Sequence, residues 1–211
     1  MEYISSIIIG YLLGSIPTAY LVMSKTKNID ITNSGSGNMG AMNSYEVSGS
    51  AILGFIVFLI DFAKGFLTVL IINFLFNHLF IYASIGVVFA LLSHCYNPWI
   101  NFKGGRGLAT AAGSAVIIFP YLLFVWALLW VIFYVMKRDI LFSNIASNIL
   151  SIFVVTTTSD IAVKYSAAKS NQVDLLMMFT VALMLVIFIR HIDPLKDIIK
   201  NKSLSSRKLN P

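Results

Sequence analysis

Charge is scarce in this chain. Of its 211 residues, 11% are Asp, Glu, Lys or Arg and 58% are hydrophobic, where an ordinary soluble domain carries about 25% charged residues. A soluble enzyme is excluded, because a soluble domain of this size buries only about 70% of the surface its unfolded chain exposes and would leave large apolar areas in water. Cysteine occurs once, at Cys95, so no intramolecular disulfide forms. With three histidines and one cysteine, neither a metal-ligand spacing nor a Ser-His-Asp order is present, and no metal site is expected. No internal repeat is visible, which argues against a secondary transporter built from paired halves.

What charge there is lies between apolar stretches. Residues 3–23, 79–102, 107–136, 140–159 and 175–189 contain none, and runs of about 20 such residues match a hydrocarbon layer about 30 Å thick. The net charge is +6, and six of the fifteen basic residues, Arg190, Lys196, Lys200, Lys202, Arg207 and Lys208, fall in the last 22 positions after an apolar run. That is the positive-inside signal of a cytoplasmic C-terminus. A nucleic-acid partner is not expected, since no aromatic or Gly-rich RNA signature accompanies these charges. The N-terminal run reads as a retained first span: Glu2 precedes it, no basic segment stands before it, and apolar residues continue past Pro17.

Five spans are expected at about 3–23, 51–76, 79–96, 142–159 and 173–190. Residues 108–136 would make a helix about 43 Å long, more than one crossing needs, and Pro120 would break its ladder. This region is one kinked helix or a hairpin of two. Loop charge favours two: seven crossings put Lys25, Lys27, Lys103, Arg106, Lys137 and Arg138 on the side of the C-terminal tail. The helix before Pro120 is then only about 18 Å long and must be short, tilted or re-entrant. The expected fold is an all-α integral membrane protein, a single domain over residues 1–211 with about seven transmembrane helices and two glycine-rich cytoplasmic loops. The N-terminus lies outside, and a basic cytoplasmic tail starts at about residue 190. Residues 160–172, with Asp160, Lys164 and Lys169, read as a solvated outside connector.

The two loops carry the chemistry. Residues 34–40, SGSGNMG, continue as Ala41, Met42 and Asn43. Closely spaced glycines let successive N–H groups turn toward one point and form an anion-binding nest, and Ser36, Asn38 and Asn43 would add side-chain donors. Such a string by itself also suits a flexible polar loop capping the first span. It does not fit the G-x-x-x-x-G-K-[ST] phosphate loop. Residues 102–110, FKGGRGLAT, set two cations and three glycines before an apolar helix. Backbone donors and a helix N-terminus would converge on phosphate there, with Lys103 and Arg106 supplying charge. The positive-inside rule would account for the two cations, but not for the glycines around them.

Asp61 and Lys64 stand inside an otherwise apolar span. An ionised side chain at mid-bilayer costs at least about 2.5–3.5 kcal/mol, so such residues face the protein interior, pair, or serve a pathway. The i, i+3 spacing puts both on one helix face, where they would pair. A structural pair and a catalytic role both fit, and the pair is also the one feature that would suit a small transporter or channel. His94 and His191 both fall at the predicted cytoplasmic boundary, where a hydrogen-bonded structural role is the simplest reading.

Together these segments resemble a known family, the bacterial membrane acyl-phosphate:glycerol-3-phosphate acyltransferases often called PlsY. The resemblance runs through residues 11–20, YLLGSIPTAY; 35–43, GSGNMGAMN; 61–65, DFAKG; and His94 followed by 103–110, KGGRGLAT. It covers residues 5 to about 115 in the same order and spacing, while the second half matches mainly by hydropathy, with His191 after Arg190 similar to the start of a third motif. The resemblance implies a seven-helix enzyme of the bacterial cell (inner) membrane, moving a fatty acyl group from acyl phosphate to the 1-hydroxyl of glycerol 3-phosphate and forming lysophosphatidic acid. It implies no cofactor and no metal; the partners would be acyl phosphate, glycerol 3-phosphate and membrane lipids, and the chain a monomer or weak oligomer. By position it makes Ser36 and His191 catalytic. Asn38, Gly40, Ala41, Asn43, Lys103, Gly104, Gly105, Arg106, Gly107 and Thr110 become substrate-binding, and Asp61, Lys64 and His94 supporting residues.

The chain departs from the family pattern at several points. Glu46 stands where an Arg is usual three residues after the motif-ending Asn, Thr32 where an Arg precedes the first motif, and Met42 where a Thr is usual. The third motif's Asn and Glu fall at about Pro194 and Ser203. Glu46 beside a phosphate site reverses the local sign, an effect on the order of 4 kcal/mol per charge pair at 4 Å before screening if it points inward. Another cation such as Lys25 or Lys27 would then compensate, or the loop would differ. The second reading is accordingly a catalytically altered or inactive paralogue that binds lipid phosphate or another polyol phosphate.

Overall fold

The computed structural model describes the backbone of residues 1–209 and the side chains of these except 193 and 197–209. The tail cations Lys200, Lys202, Arg207 and Lys208, and the departure at Ser203, therefore lie outside the described side chains. Among the described residues every regular element is helical: α1 Glu2–Gly14, α2 Thr18–Lys27, α3 Ala41–Ser48, α4 Ala51–Leu75, α5 Phe80–Cys95, α6 Leu108–Ile118, α7 Pro120–Lys137, α8 Ile140–Thr157, α9 Ser159–Lys164 and α10 Val173–Leu209.

Proline decides where two of the apolar runs break. Pro17 offers no N–H to the ladder, and the first run divides into α1 and α2. The carbonyls freed at that break find distant donors: Asn97 Nδ2 donates to Ser15 O at 2.6 Å and Lys64 Nζ to Ile16 O at 2.6 Å. Irregular backbone at membrane depth requires such partners from the surrounding protein. Pro120 opens α7 at its first position, and Phe119, with φ −151°, separates it from α6. Residues 108–136 are thus two helices rather than one kinked helix, and α6 has only 11 residues.

Contacts along the helices give their directions. In α1 and α5, the rings of Tyr3 and Tyr82 meet at 4.9 Å, and Gly10 and Gly14 lie against the backbone of Gly86 and Ala90, so the two helices run parallel. In α4 and α6, Gly65 packs on the Thr110 carbonyl and Gly113 on that of Phe62, an antiparallel pair at backbone contact. Helices α7 and α8 form a hairpin closed by Tyr121 and Thr158 at 2.9 Å at one end and by Trp130 and Asn144 at 2.7 Å further along. Helix α10 lies between α5 and α8, with Phe179 edge-on to Phe80 and Asn148 Nδ2 donating to Met184 O at 2.6 Å.

One end of the bundle consequently gathers the starts of α1, α5, α7 and α10, and the other gathers residues 28–50, 96–107, 138–139 and 190. Helix α6 reaches both, since it starts at Gly107 on the loop side while its Ile118 carbonyl accepts the N–H of Ala167, 2.9 Å away, at the opposite end. Among the described residues six stretches are long and apolar enough to cross a membrane: Glu2–Lys27, Ala51–Leu75, Phe80–Ile100, Pro120–Lys137, Ile140–Thr157 and Ser170–Lys196. Large apolar side chains such as Phe55, Phe74, Phe124, Phe153 and Met178 face outward, while Ile72, Phe119, Leu122 and Leu183 fill the core. This is an all-α integral membrane protein. Residues 160–172 are more ordered than a plain connector, forming α9 and a single 3-10 turn at Ser170–Gln172. Asp160 in the first turn of α9 and Lys164 in its last turn complement the helix dipole.

Candidate active site

The first glycine loop is folded around Asn43. Its Oδ1 accepts the N–H of Ser36 at 2.9 Å, and its Nδ2 donates to the carbonyls of Asn38 at 2.9 Å and Ser34 at 3.1 Å. The side chain is buried, so Asn43 braces the loop from within and its amide has no donor left for a ligand. Gly35 and Gly37 take positive φ, 60° and 67°, and a Cβ on Gly35 would overlap Asn43 Oδ1. The chain then enters α3 at Gly40 without a side-chain cap, which leaves first-turn N–H groups, Ala41 among them, without intrahelical acceptors. Ser36 is exposed on the outer edge of this loop, with its Oγ facing the Asn38 N–H at 3.4 Å, and Asn38 is half-buried.

Asp30 sets the approach to this loop. Its carboxylate accepts the Thr32 N–H at 3.0 Å, the Thr32 hydroxyl at 2.8 Å and the Asn33 amide at 2.8 Å. The Thr32 hydroxyl, then its N–H, hold the Asp30 carboxyl below its ordinary pKa. A depressed folded-state pKa means that the turn's contribution is present above the carboxylate's ordinary pKa and is lost as pH falls through the lowered one. Asp30→Asn should therefore abolish any acid-induced loosening of residues 30–34 that wild type shows, measured as proteolytic cleavage at Lys27 or Lys103 across an acid titration.

The second loop is held from three sides. Gly105 N–H donates to His94 O at 3.2 Å, Lys103 O accepts the Asn97 N–H at 3.2 Å, and Met39 N–H donates to Gly104 O at 3.4 Å, which ties this loop to the first. Gly104 and Gly105 are buried at contact with the backbone of Cys95 and the ring of His94, where a Cβ would not fit. Lys103 extends over the first loop, with Nζ 3.5 Å from Thr32 O and 3.4 Å from Asn33 Oδ1. Arg106 is half-buried. Burial lowers its pKa, the charge of Arg190 lowers it further and that of Glu46 opposes the change, and a guanidinium stays protonated through such shifts. Gly107, with φ 83°, opens α6, again without a side-chain cap. Thr110 lies deeper, buried against α4, and its hydroxyl is without a partner among the described residues.

The two loops therefore meet at one end of the bundle, with Lys103, Arg106 and the starts of α3 and α6 beside them. Arg190, which the sequence presents only as the first cation of the tail, belongs here too. It donates from Nε to Gly105 O at 3.2 Å and from Nη2 to Gly104 O at 3.0 Å, with its guanidinium 5.1 Å from the Tyr96 ring centre. Its place immediately after a charge-free run of fifteen residues, 175–189, was the available signal. Asn97 was missed as well; Asn97-Pro98 signals a turn, but not the bond to Ser15. Beneath the loops, Asp61 pairs with Lys64 at 2.7 Å and faces His94 Nδ1 at 3.8 Å, all three buried around a small polar pocket that Thr18 and Asn97 also line. His191 is buried among α7, α8 and α10, with Nδ1 2.8 Å from Ile187 O and Nε2 3.3 Å from Asn144 Nδ2. Glu46 is exposed on α3, and Lys25 and Lys27 are exposed in the last turn of α2. The further cation acting on Arg106 is Arg190.

Below this end, α6, α7 and α10 border an open apolar cavity, lined by Leu108, Ala111, Ala115, Leu122, Trp126 and Ile187 among others. A polar, cationic floor of loops thus adjoins a pocket of hydrocarbon character, the arrangement that an amphiphile with a phosphate head requires.

Comparison with known proteins agrees with this geometry. Residues 4–201 match the family described as Glycerol-3-phosphate acyltransferase. A curated glycerol-3-phosphate acyltransferase of Ehrlichia canis is 34% identical over 202 residues, 95% of this chain and 96% of the relative. One from Staphylococcus haemolyticus is 36% identical over 155 residues, 70% of this chain and 76% of the relative. Among solved structures, the crystal structure of PlsY, an integral membrane glycerol 3-phosphate acyltransferase, in its glycerol 3-phosphate form superposes with a TM-score of 0.77 at 27% identity, covering 95% of this chain and 94% of that one. The same protein in its lysophosphatidic acid form gives 0.75. The chain belongs to the glycerol-3-phosphate acyltransferase family.

Proposed function

We propose that the protein transfers a fatty acyl group from acyl phosphate to the 1-hydroxyl of glycerol 3-phosphate, forming lysophosphatidic acid and releasing inorganic phosphate. The observation that carries this reading is the junction of two glycine loops, three cations and two uncapped helix starts above an apolar cavity. Both substrates bring phosphate, which Lys103, Arg106 and the first-turn N–H groups of α3 and α6 would bind. The donor's acyl chain would occupy the cavity between α6, α7 and α10. Acyl phosphate is already activated: the hydroxyl oxygen forms the ester bond to the acyl carbon, the bond from that carbon to the phosphate oxygen breaks, and the phosphate leaves with the electron pair and ends with the hydroxyl proton as hydrogen phosphate. Holding the two substrates in line and neutralising their charge supplies the rate enhancement.

In this reading the loops face the cytoplasm, the N-terminus lies outside the bacterial cell membrane, and α6 is the seventh crossing. Ser36 and Asn38 reach the substrate from the exposed edge of the first loop, and the chain works as a monomer or weak oligomer. Purified protein given acyl phosphate and glycerol 3-phosphate should release phosphate and form lysophosphatidate. Lys103→Ala should lower kcat/KM by about 10²–10³-fold, the cost of removing one transition-state charge partner, and Ser36→Ala should lower it by less. Glu46→Arg should raise the affinity for glycerol 3-phosphate. Absence of product with donors of several chain lengths would refute the proposal. Binding of glycerol 3-phosphate without turnover would instead favour the non-catalytic paralogue to which the reversed charge at Glu46 points.

A further inference from the structure

Three polar side chains outside the glycine loops form a chain that ends on the helix carrying Arg190. Trp130 Nε1 donates to Asn144 Oδ1 at 2.7 Å, Asn144 Nδ2 faces His191 Nε2 at 3.3 Å, and His191 Nδ1 faces Ile187 O at 2.8 Å. Asn144 and His191 are 5% and 1% exposed, so water does not supply alternative partners. The roles along the chain follow from its first member. An indole N–H only donates, so the amide must turn its oxygen to Trp130 and its NH₂ to His191. Nε2 is then an acceptor, and the single ring proton sits on Nδ1, donated to Ile187 O. The indole itself is held in orientation by stacking on Tyr134, with ring centres 5.0 Å apart and planes 7° apart.

The consequence reaches the loops through one peptide bond. Arg190 precedes His191 on α10, about 100° around the helix from it. Anchoring His191 to α8 therefore fixes the rotation that carries Arg190 to the carbonyls of Gly104 and Gly105. We propose that Trp130 and Asn144 are positioning residues of the acyltransferase: through His191 they set one imidazole tautomer and lock α10 in the rotation at which Arg190 holds the second glycine loop. Arg190 thereby fixes the orientation of the Gly104 and Gly105 peptides. This rests on the acyltransferase reading for its effect on rate, but not for the tautomer.

The test uses full-length protein with ¹⁵N-labelled histidine in lipid nanodiscs, with His191→Gln as the assignment control. Wild type should show His191 neutral, with a protonated Nδ1 and an unprotonated Nε2. Trp130→Phe keeps the ring and removes the N–H, which frees the amide to flip; Nδ1 keeps its proton on the Ile187 carbonyl, the Nε2 signal should shift as its hydrogen-bond donor is lost, and kcat should fall about 10–100-fold, the usual cost of losing a residue that orients a functional group. The KM for glycerol 3-phosphate should stay within about three-fold. Asn144→Asp sets a carboxylate before Nε2 while Nδ1 keeps the Ile187 carbonyl, so the ring should take up a second proton, and Asn144→Gln should recover less than half of the wild-type kcat. A wild-type spectrum with Nε2 protonated would overturn the inference, as would a folded Trp130→Phe protein with unchanged spectrum and kcat. A wild-type protein inactive with acyl phosphate would instead count against the proposed function, while the spectra still decide the tautomer.

Discussion

Gly113→Ala should leave the protein severely destabilised although it adds one methyl group. Helices α4 and α6 touch at their backbones, and a Cβ on Gly113 would overlap the carbonyl of Phe62, just as one on Gly65 would overlap that of Thr110. Neither obstacle is a side-chain tip that rotates away. Inserting a methylene into a packed core commonly costs about 1–3 kcal/mol, and a backbone overlap belongs at or above the upper end. About 3 kcal/mol in a protein of this length corresponds to a fall of roughly 6–12 °C in melting temperature. Polar loss follows as well, because separating α6 from α4 withdraws Gly107 and the start of α6 from the loops. Thermal melting in detergent measures the first effect and phosphate release the second. A variant melting within about 2 °C of wild type would show that the α4–α6 contact is less tight than the structure has it.

Asp61→Leu should cost about 3–5 kcal/mol, the usual result of leaving one half of a buried ion pair without its partner. The Asp61–Lys64 pair is 2.7 Å long with both side chains buried, and Lys64 also caps the Ile16 carbonyl freed by Pro17. Removing Asp61 strands a cation in the bundle, whereas the double variant Asp61→Leu/Lys64→Met removes both charges and loses only the cap. The double variant should therefore be more stable than the single one, and a double-mutant cycle on melting temperatures measures the difference. If Asp61→Leu alone were harmless, the pair would not be structural, and the intramembrane pathway reading would regain weight.

These two features differ in how far the sequence discloses them. Asp61 and Lys64 share a helix face by their spacing alone, so the pair was legible, and Pro120 likewise marks the break between α6 and α7. The glycine loops were legible because Gly, Ser and Asn stand out against an apolar background. What was not legible is the partner of each lone polar residue. Asn97 binds a carbonyl 82 positions away and Arg190 carbonyls 85 and 86 positions away, and no local pattern encodes such pairings. Asn43 shows the same limit in a residue that was identified. Its presence in the loop was read as a donor toward an anion, but folding turns its amide inward to hold the turn. Asn144 was hidden for another reason: an amide in an apolar helix marks a buried face but does not say that an indole from the preceding helix fixes its orientation.

The shortness of α6 has a consequence for depth. It and α7 share the corner at Phe119, yet α6 has 11 residues and α7 has 18, so with both helices upright the start of α6 lies about 10 Å nearer the middle of the bundle than Lys137 does. The glycine loops therefore form the bottom of a well sunk below the level of the neighbouring helix end. In the proposed reaction a water-soluble phosphate would descend to meet a chain that stays at its natural height among the lipids, and the acyl donor would not have to be lifted out of the bilayer to react.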